Sequence, residues 1–166
     1  MFSVSQLHEI AKICAPLAAQ THNECGVTCE LIHQVLSNTE LDPDEDTLRY
    51  DLVEVEVQTT NELSHIIDQH AYMCVDVDIG CTFDHIFFLF QTAQGLYIVD
   101  SYVDDRACTA RPFNLERFLH FLELFLSPIH RSEYARLIGL WNQIFESDLD
   151  AVNYNLSEFH VRCYLP

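Results

Sequence analysis

The chain has 166 residues and a mass of 19.2 kDa, with 49% hydrophobic and 20% charged residues. That length suits one domain spanning 1–166 with a sizeable core, and the 4 glycines, 5 prolines and 11% aromatics exclude disordered or collagen-like readings. Against 8 Lys+Arg stand 26 Asp+Glu, a formal charge of −18, which repels phosphate backbones and anionic membrane surfaces and so argues against nucleic-acid binding. No apolar run reaches the roughly 20 residues of a membrane span.

The opening segment lacks the basic start and continuous apolar stretch of a secretory signal, since Glu9 and Lys12 interrupt it. Cysteines at 14, 25, 29, 74, 81, 108 and 163 form an odd, irregular set and read as reduced thiols. The sequon Asn155-Leu156-Ser157 carries little weight without export. Lys12 is the only lysine. These features point to the cytoplasm, or to secretion into a host cell without a classical signal peptide. There, scarcity of lysine would limit ubiquitin attachment.

In chain order, Val4 to about Ala15 is an amphipathic helix with Leu7, Ile10, Ala11 and Cys14 on one stripe, and Pro16 is expected to stop it. The polar stretch Thr21-His22-Asn23-Glu24 breaks the pattern. A second helix runs from Cys25 to about Leu36, with Val27, Leu31, Ile32 and Val35 inward. After the acidic stretch 42–46, residues 52–57 alternate as a strand. A short helix over 61–69 leads to a strand over 73–79 that Gly80 ends. His85 to Phe90 is apolar on both faces, as in a central strand covered from both sides. The loop 92–95 joins it to 96–100 as a hairpin. Helices over 114–126 and 132–145 and a final strand over 158–164 complete an α+β chain with a mostly antiparallel sheet.

Residues Gln20 to Ile32 carry the chemistry. A cysteine where a polar loop becomes an apolar helix sits among unpaired backbone N–H groups and the positive end of the helix dipole, which favour a thiolate. Gly26 admits close approach of a substrate chain. The Cys25 N–H and the Gln20 side chain offer donors to an oxyanion, with Asn23 as a substitute for Gln20. Taken alone, Cys25 would be read as a buried structural cysteine.

The hairpin supplies the partner. With Gln91 opposite Leu96, Leu89 faces Ile98, Phe87 faces Asp100 and His85 faces Tyr102. His85 and Asp100 then project from one face as diagonal neighbours, roughly 7–8 Å apart at Cα, and a one-residue slip would separate them. A carboxylate there fixes the imidazole tautomer and stabilises the imidazolium.

The order Cys25, His85, Asp100, with a glutamine shortly before the cysteine, resembles the papain-like superfamily. The piece 20–32 looks like the peptidase segment of bacteriocin-processing transporters. The pieces 84–90 and 95–100 look like the His and Asp strands of secreted effector proteases and protein-glutamine deamidases. The resemblance covers half the chain. It departs at Ala19, where the family's glutamine, six residues before the cysteine, would stand, and at Ser101-Tyr102 after the aspartate.

This resemblance implies a papain-like α+β fold and a cysteine-dependent hydrolase or acyl transferase. Its catalytic residues would be Cys25, His85, Asp100 and Gln20, acting on a protein substrate without a cofactor. Peptide cleavage, glutamine deamidation and transamidation remain open. The alternative is a catalytically inactive module that holds a basic partner through its acidic surface.

Two metal patterns fail. Cys25, Cys29 and His33 line one helical face without a tetrahedral complement, so Cys29 reads as a buried contact beneath the nucleophile. Asp42, Asp44 and Asp46 start like a calcium loop, but Thr47 replaces its glycine and Val53 its closing glutamate, which leaves a solvated turn. The apolar positions from Phe113 to Leu126 read as helix core.

Overall fold

The computed structural model describes residues 1–78, 84–104, 106–126, 134–150 and 160–166. Among these, helices α1 (Val4–Gln20), α2 (Cys25–Leu36) and α3 (Leu48–Asp51) precede strand β1 (Val53–Val57) and helix α4 (Thr60–Gln69). Strands β2 (Tyr72–Asp78), β3 (Asp84–Thr92), β4 (Gly95–Tyr102) and β5 (Arg106–Pro112) follow, then α5 (Leu115–Phe125), α6 (Tyr134–Phe145) and β6 (His160–Leu165). The expected strand end at Ile79-Gly80, the helix start at 132–133, the strand start at 158–159, Cys81 and the sequon 155–157 lie outside the described residues.

The strands form one six-stranded antiparallel sheet in the order β1-β6-β2-β3-β4-β5, so the fold class is α+β. Because successive strand side chains alternate, each inner strand feeds two cores. Val75, Val77, Phe87, Leu89 and Ile98 meet α4, α5 and α6 on one face. Cys74, Ile86, Phe88, Phe90 and Val99 meet α1, α2 and α3 on the other. The expected helix core lies in the first set: Phe118, Phe121, Leu122 and Phe125 are fully buried. No helix among the described residues is long and apolar enough to cross a membrane.

The hairpin register agrees with the alternation argument: Gln91 pairs with Leu96, Leu89 with Ile98 and Phe88 with Val99. The ladder continues to Thr92 and Gly95, so the connection is the pair Ala93-Gln94, not four residues, and Gly95 supplies a φ of 111°.

Helix α1 does not stop at Pro16. It continues to Gln20 with Pro16 inside. A proline removes one N–H and frees the carbonyl four residues earlier; here Lys12 and Pro16 are both exposed, so water can serve that carbonyl, while Ala18 beyond is fully buried. Strand β5 has no strong β pattern, being an edge segment of four small residues between two arginines, ending in proline. The last strand does not join an edge. It inserts between β1 and β2, pairing with both.

Candidate functional site

Cys25 is the first residue of α2. The preceding stretch turns sharply: His22 and Asn23 are both left-handed at φ 56°, and Glu24 takes the N-cap position without a side-chain cap. The first-turn N–H groups of α2 therefore lack the usual side-chain acceptor. One contact from the turn after β4 and one from β4 itself hold this stretch. The Asp104 N–H donates to the His22 carbonyl at 3.0 Å, and the Ser101 hydroxyl donates to the Asn23 carbonyl at 2.8 Å. Ser101 also meets Thr28 Oγ1 of α2.

Asp100, next to Ser101, projects from the opposite face of β4 and accepts from His85 Nε2 at 2.6 Å, both residues being about 1% exposed. An ionised carboxylate only accepts, so the hydrogen of this bond sits on Nε2, and Nδ1 is the ring atom left to exchange a proton. The ring is packed against Phe145 at 4.8 Å, Tyr102 at 4.9 Å and Phe87 at 5.5 Å between centroids, which excludes water from the His85–Asp100 bond.

Two arginines of β5 also hold Asp100. Arg106 is bidentate, with Nη2 3.1 Å from Oδ2, and Arg111 Nη1 lies 2.6 Å from Oδ1. Residues 106 and 111 have opposite parity and would normally face opposite sides of a strand. The register between β4 and β5 shifts between Asp100 and Tyr102, and this bulge turns both guanidinium groups onto one carboxylate. Burial alone would push the Asp100 carboxyl up. The His85 bond and the two arginines outweigh it and hold the carboxyl well below the usual range.

Cys25 and His85 both line a cleft of about 790 Å³, and the Ile86 N–H, one residue beyond His85, donates to the Cys25 sulfur. The β3–β4 ladder ends at Phe88 and Val99. On the same wall are Glu24, Asp76 and Asp84. Asp76 is 5% exposed, its Oδ1 has no partner, and burial together with Asp84 and Asp78 pushes its carboxyl up to about 6.

The thiolate expectation is overturned. Burial pushes the Cys25 thiol up to about 12, with Cys29, Asp84 and Asp76 adding to the shift and only the Ile86 N–H opposing it among the main causes. A helix N-terminus favours an anion, but here desolvation and nearby carboxylates prevail, and the resting sulfur is a neutral thiol.

Gln20 is not brought to the site. Because α1 runs past Pro16, Gln20 ends the helix exposed and is not among the residues lining the cleft. Asn23 does not line the cleft either; its Oδ1 is buried without a partner. Cys29 is fully buried with its free thiol hydrogen-bonded to that of Cys74, while His33 Nε2 turns to Asp51 Oδ2 at 2.7 Å, so the row Cys25, Cys29, His33 has separate surroundings.

Arg106, Arg111, Ser101 and Asp76 are the site residues that the sequence reading missed. Asp76 had a signal: an acidic residue between Val75 and Val77, inside a strand whose other acidic residue, Asp78, stands at its end. The arginines had none, since their convergence depends on a bulge in an edge strand. No protein-family model, curated protein or solved structure matches the chain.

Proposed function

We propose that this protein is a cysteine-dependent hydrolase or acyl transferase of papain-like type, acting on a peptide bond or glutamine carboxamide of a protein substrate. The observation that carries the reading is the shared cleft: Cys25 at the mouth of α2 and His85, fixed by Asp100, open onto the same space. Cys25 Sγ attacks the acyl carbon as its proton passes to His85 Nδ1. The neutral resting thiol makes this transfer part of the attack, with no preformed ion pair. The Cys25 N–H and the uncapped first turn of α2 stabilise the tetrahedral oxyanion, a role in which Gln20 has no part. Collapse returns the proton to the leaving amine or ammonia and leaves a thioester on Cys25. Water or an amine then takes the acyl group, which covers peptide cleavage, deamidation and transamidation.

The described cysteines are all free, which supports a reducing compartment, the cytoplasm of the producing cell or of a host. A second reading is a non-catalytic module that holds a basic partner; the neutral, half-buried thiol and the acidic cleft favour it.

Intact-mass analysis of candidate proteins after incubation separates these. A gain of about one dalton marks deamidation, fragments mark proteolysis and cross-linked species mark transamidation, each expected from an acyl-enzyme and each expected to vanish in Cys25→Ala. Tight binding of a basic protein with no mass change, unaltered in Cys25→Ala, supports the module instead.

A further inference from the structure

We propose that the cleft beside Cys25 contains a subsite for a cationic side chain of the substrate, a lysine or arginine, seated against Asp76 and Asp84. The proposal rests on the reading of Cys25 as nucleophile and adds the class of substrate. Asp76 pairs across the sheet with Ile86, whose N–H holds the Cys25 sulfur, so its carboxylate stands one strand away from the nucleophile. A carboxylate 95% buried, with one oxygen unbonded, costs free energy unless a donor reaches it. Of the chain's own cations, Arg162 stays 3.9 Å from the other oxygen, and Arg49 on the rim of the cleft acts on Asp76 and Asp84 through its charge but gives Asp76 Oδ1 no hydrogen bond. Asp84 stands exposed on the adjacent strand and lines the same cleft.

The rim continues the charge pattern. Glu24 and the 44–46 turn line the cleft, and among the described lining residues Arg49 is the only lysine or arginine. Glu30 does not belong to this set, because its oxygens are occupied by the N–H groups of Thr47 and Leu48. An ammonium or guanidinium group would supply Asp76 Oδ1 with its missing donor, whereas a carboxylate or phosphate would add repulsion.

The test uses three methanethiosulfonates of similar size on the full chain: 2-aminoethyl (cationic), propyl (neutral) and 2-sulfonatoethyl (anionic). Each transfers its alkylthio group to the cysteine sulfur with loss of methanesulfinate, and peptide mass spectrometry reads the rate at Cys25 alone. The expected order is cation, neutral, anion, with a cation-to-neutral ratio of about tenfold at physiological salt. That ratio should fall severalfold in Asp76→Asn and in Asp84→Asn. It should hold in the double variant Glu116→Gln, Glu123→Gln, whose exposed carboxylates on α5 contribute only to the overall field. A ratio untouched by both aspartate substitutions, or lowered equally by the α5 pair, overturns the subsite. If Cys25 reacts without charge preference, the subsite alone fails; if it reacts with none of the three, the nucleophile reading fails and takes the subsite with it.

Discussion

Ser101 Oγ lies 2.5 Å from Thr28 Oγ1, and this buried contact ties the first turn of the cysteine-bearing helix to the strand that carries Asp100. Because Ser101 gives its own hydrogen to the Asn23 carbonyl, the Thr28 hydroxyl is the donor between them. Adjacent residues of β4 thus serve the two halves of the site, Asp100 fixing the imidazole on one face and Ser101 fixing the helix mouth on the other. Ser101→Ala leaves the Thr28 hydroxyl without its acceptor and the Asn23 carbonyl without its donor, at a cost of about 1–3 kcal/mol. Urea unfolding should report that loss. The rate of Cys25 alkylation should change with it, whereas a merely structural role would leave that rate at the wild-type value.

Asp100 compensates two guanidinium groups besides orienting His85. Asp100→Asn keeps an acceptor for the imidazole but removes the negative charge between Arg106 and Arg111. Breaking a buried ion pair from one side costs roughly 3–5 kcal/mol, so this variant should lose much of its stability along with activity. His85→Ala should behave differently: the carboxylate stays paired with both arginines, and the main structural loss is the ring between Tyr102 and Phe145. Denaturation of the two variants side by side checks the ordering. A His85→Ala protein less stable than Asp100→Asn would contradict it.

The register of β3 on β4 was legible because a two-residue period and a glycine turn leave only one pairing that buries Phe87, Leu89 and Ile98 together. The helix that begins at Cys25 was legible from its apolar stripe. The reach of α1 past Pro16 was not, since whether a proline ends a helix depends on whether the freed carbonyl faces water, which is a tertiary fact. For the same reason the position of Gln20 was misjudged. Strand β5 escaped because small residues and a proline give an edge strand no local signature, and the partners of Asp100 came with it. The thiolate expectation failed for a further reason: the helix mouth is a local feature, while Asp84 reaches Cys25 only where β3 packs beside α2, and Asp76 only through the pairing of β2 with β3.

Asp76 makes a pH prediction with a definite sign. Its carboxyl is pushed from 3.8 up to about 6 in the fold, so the native state binds the proton more tightly than the unfolded chain. The stability from this group is fully present below the unfolded value and is lost as pH rises through about 6. At 1.36 kcal/mol per unit, the loss is on the order of 2–3 kcal/mol. Asp76→Asn should therefore be more stable than wild type at pH 7 and should flatten the wild-type decline between about pH 4 and 6. Thermal melts across that window measure the difference. A variant less stable at pH 7 would mean that Asp76 already has a cationic partner strong enough to repay its burial.

Asp84 bears on the nucleophile itself. Its charge adds to the burial that holds the Cys25 thiol neutral, and it lies in the exposed part of the cleft, where substitution disturbs little packing. Asp84→Asn removes one repulsive charge, so the thiol titrates at lower pH and the thiolate fraction at a fixed pH rises. Alkylation by neutral iodoacetamide near pH 8 should accelerate severalfold at Cys25, read by peptide mass spectrometry, while the fully buried Cys29 and Cys74 remain unlabelled in the native protein. Wild-type labelling should climb steeply only in alkaline buffer. Fast labelling of the wild-type cysteine at pH 6, unchanged by Asp84→Asn, would mean that the imidazole already holds the sulfur as an ion pair and that these carboxylates do not govern it.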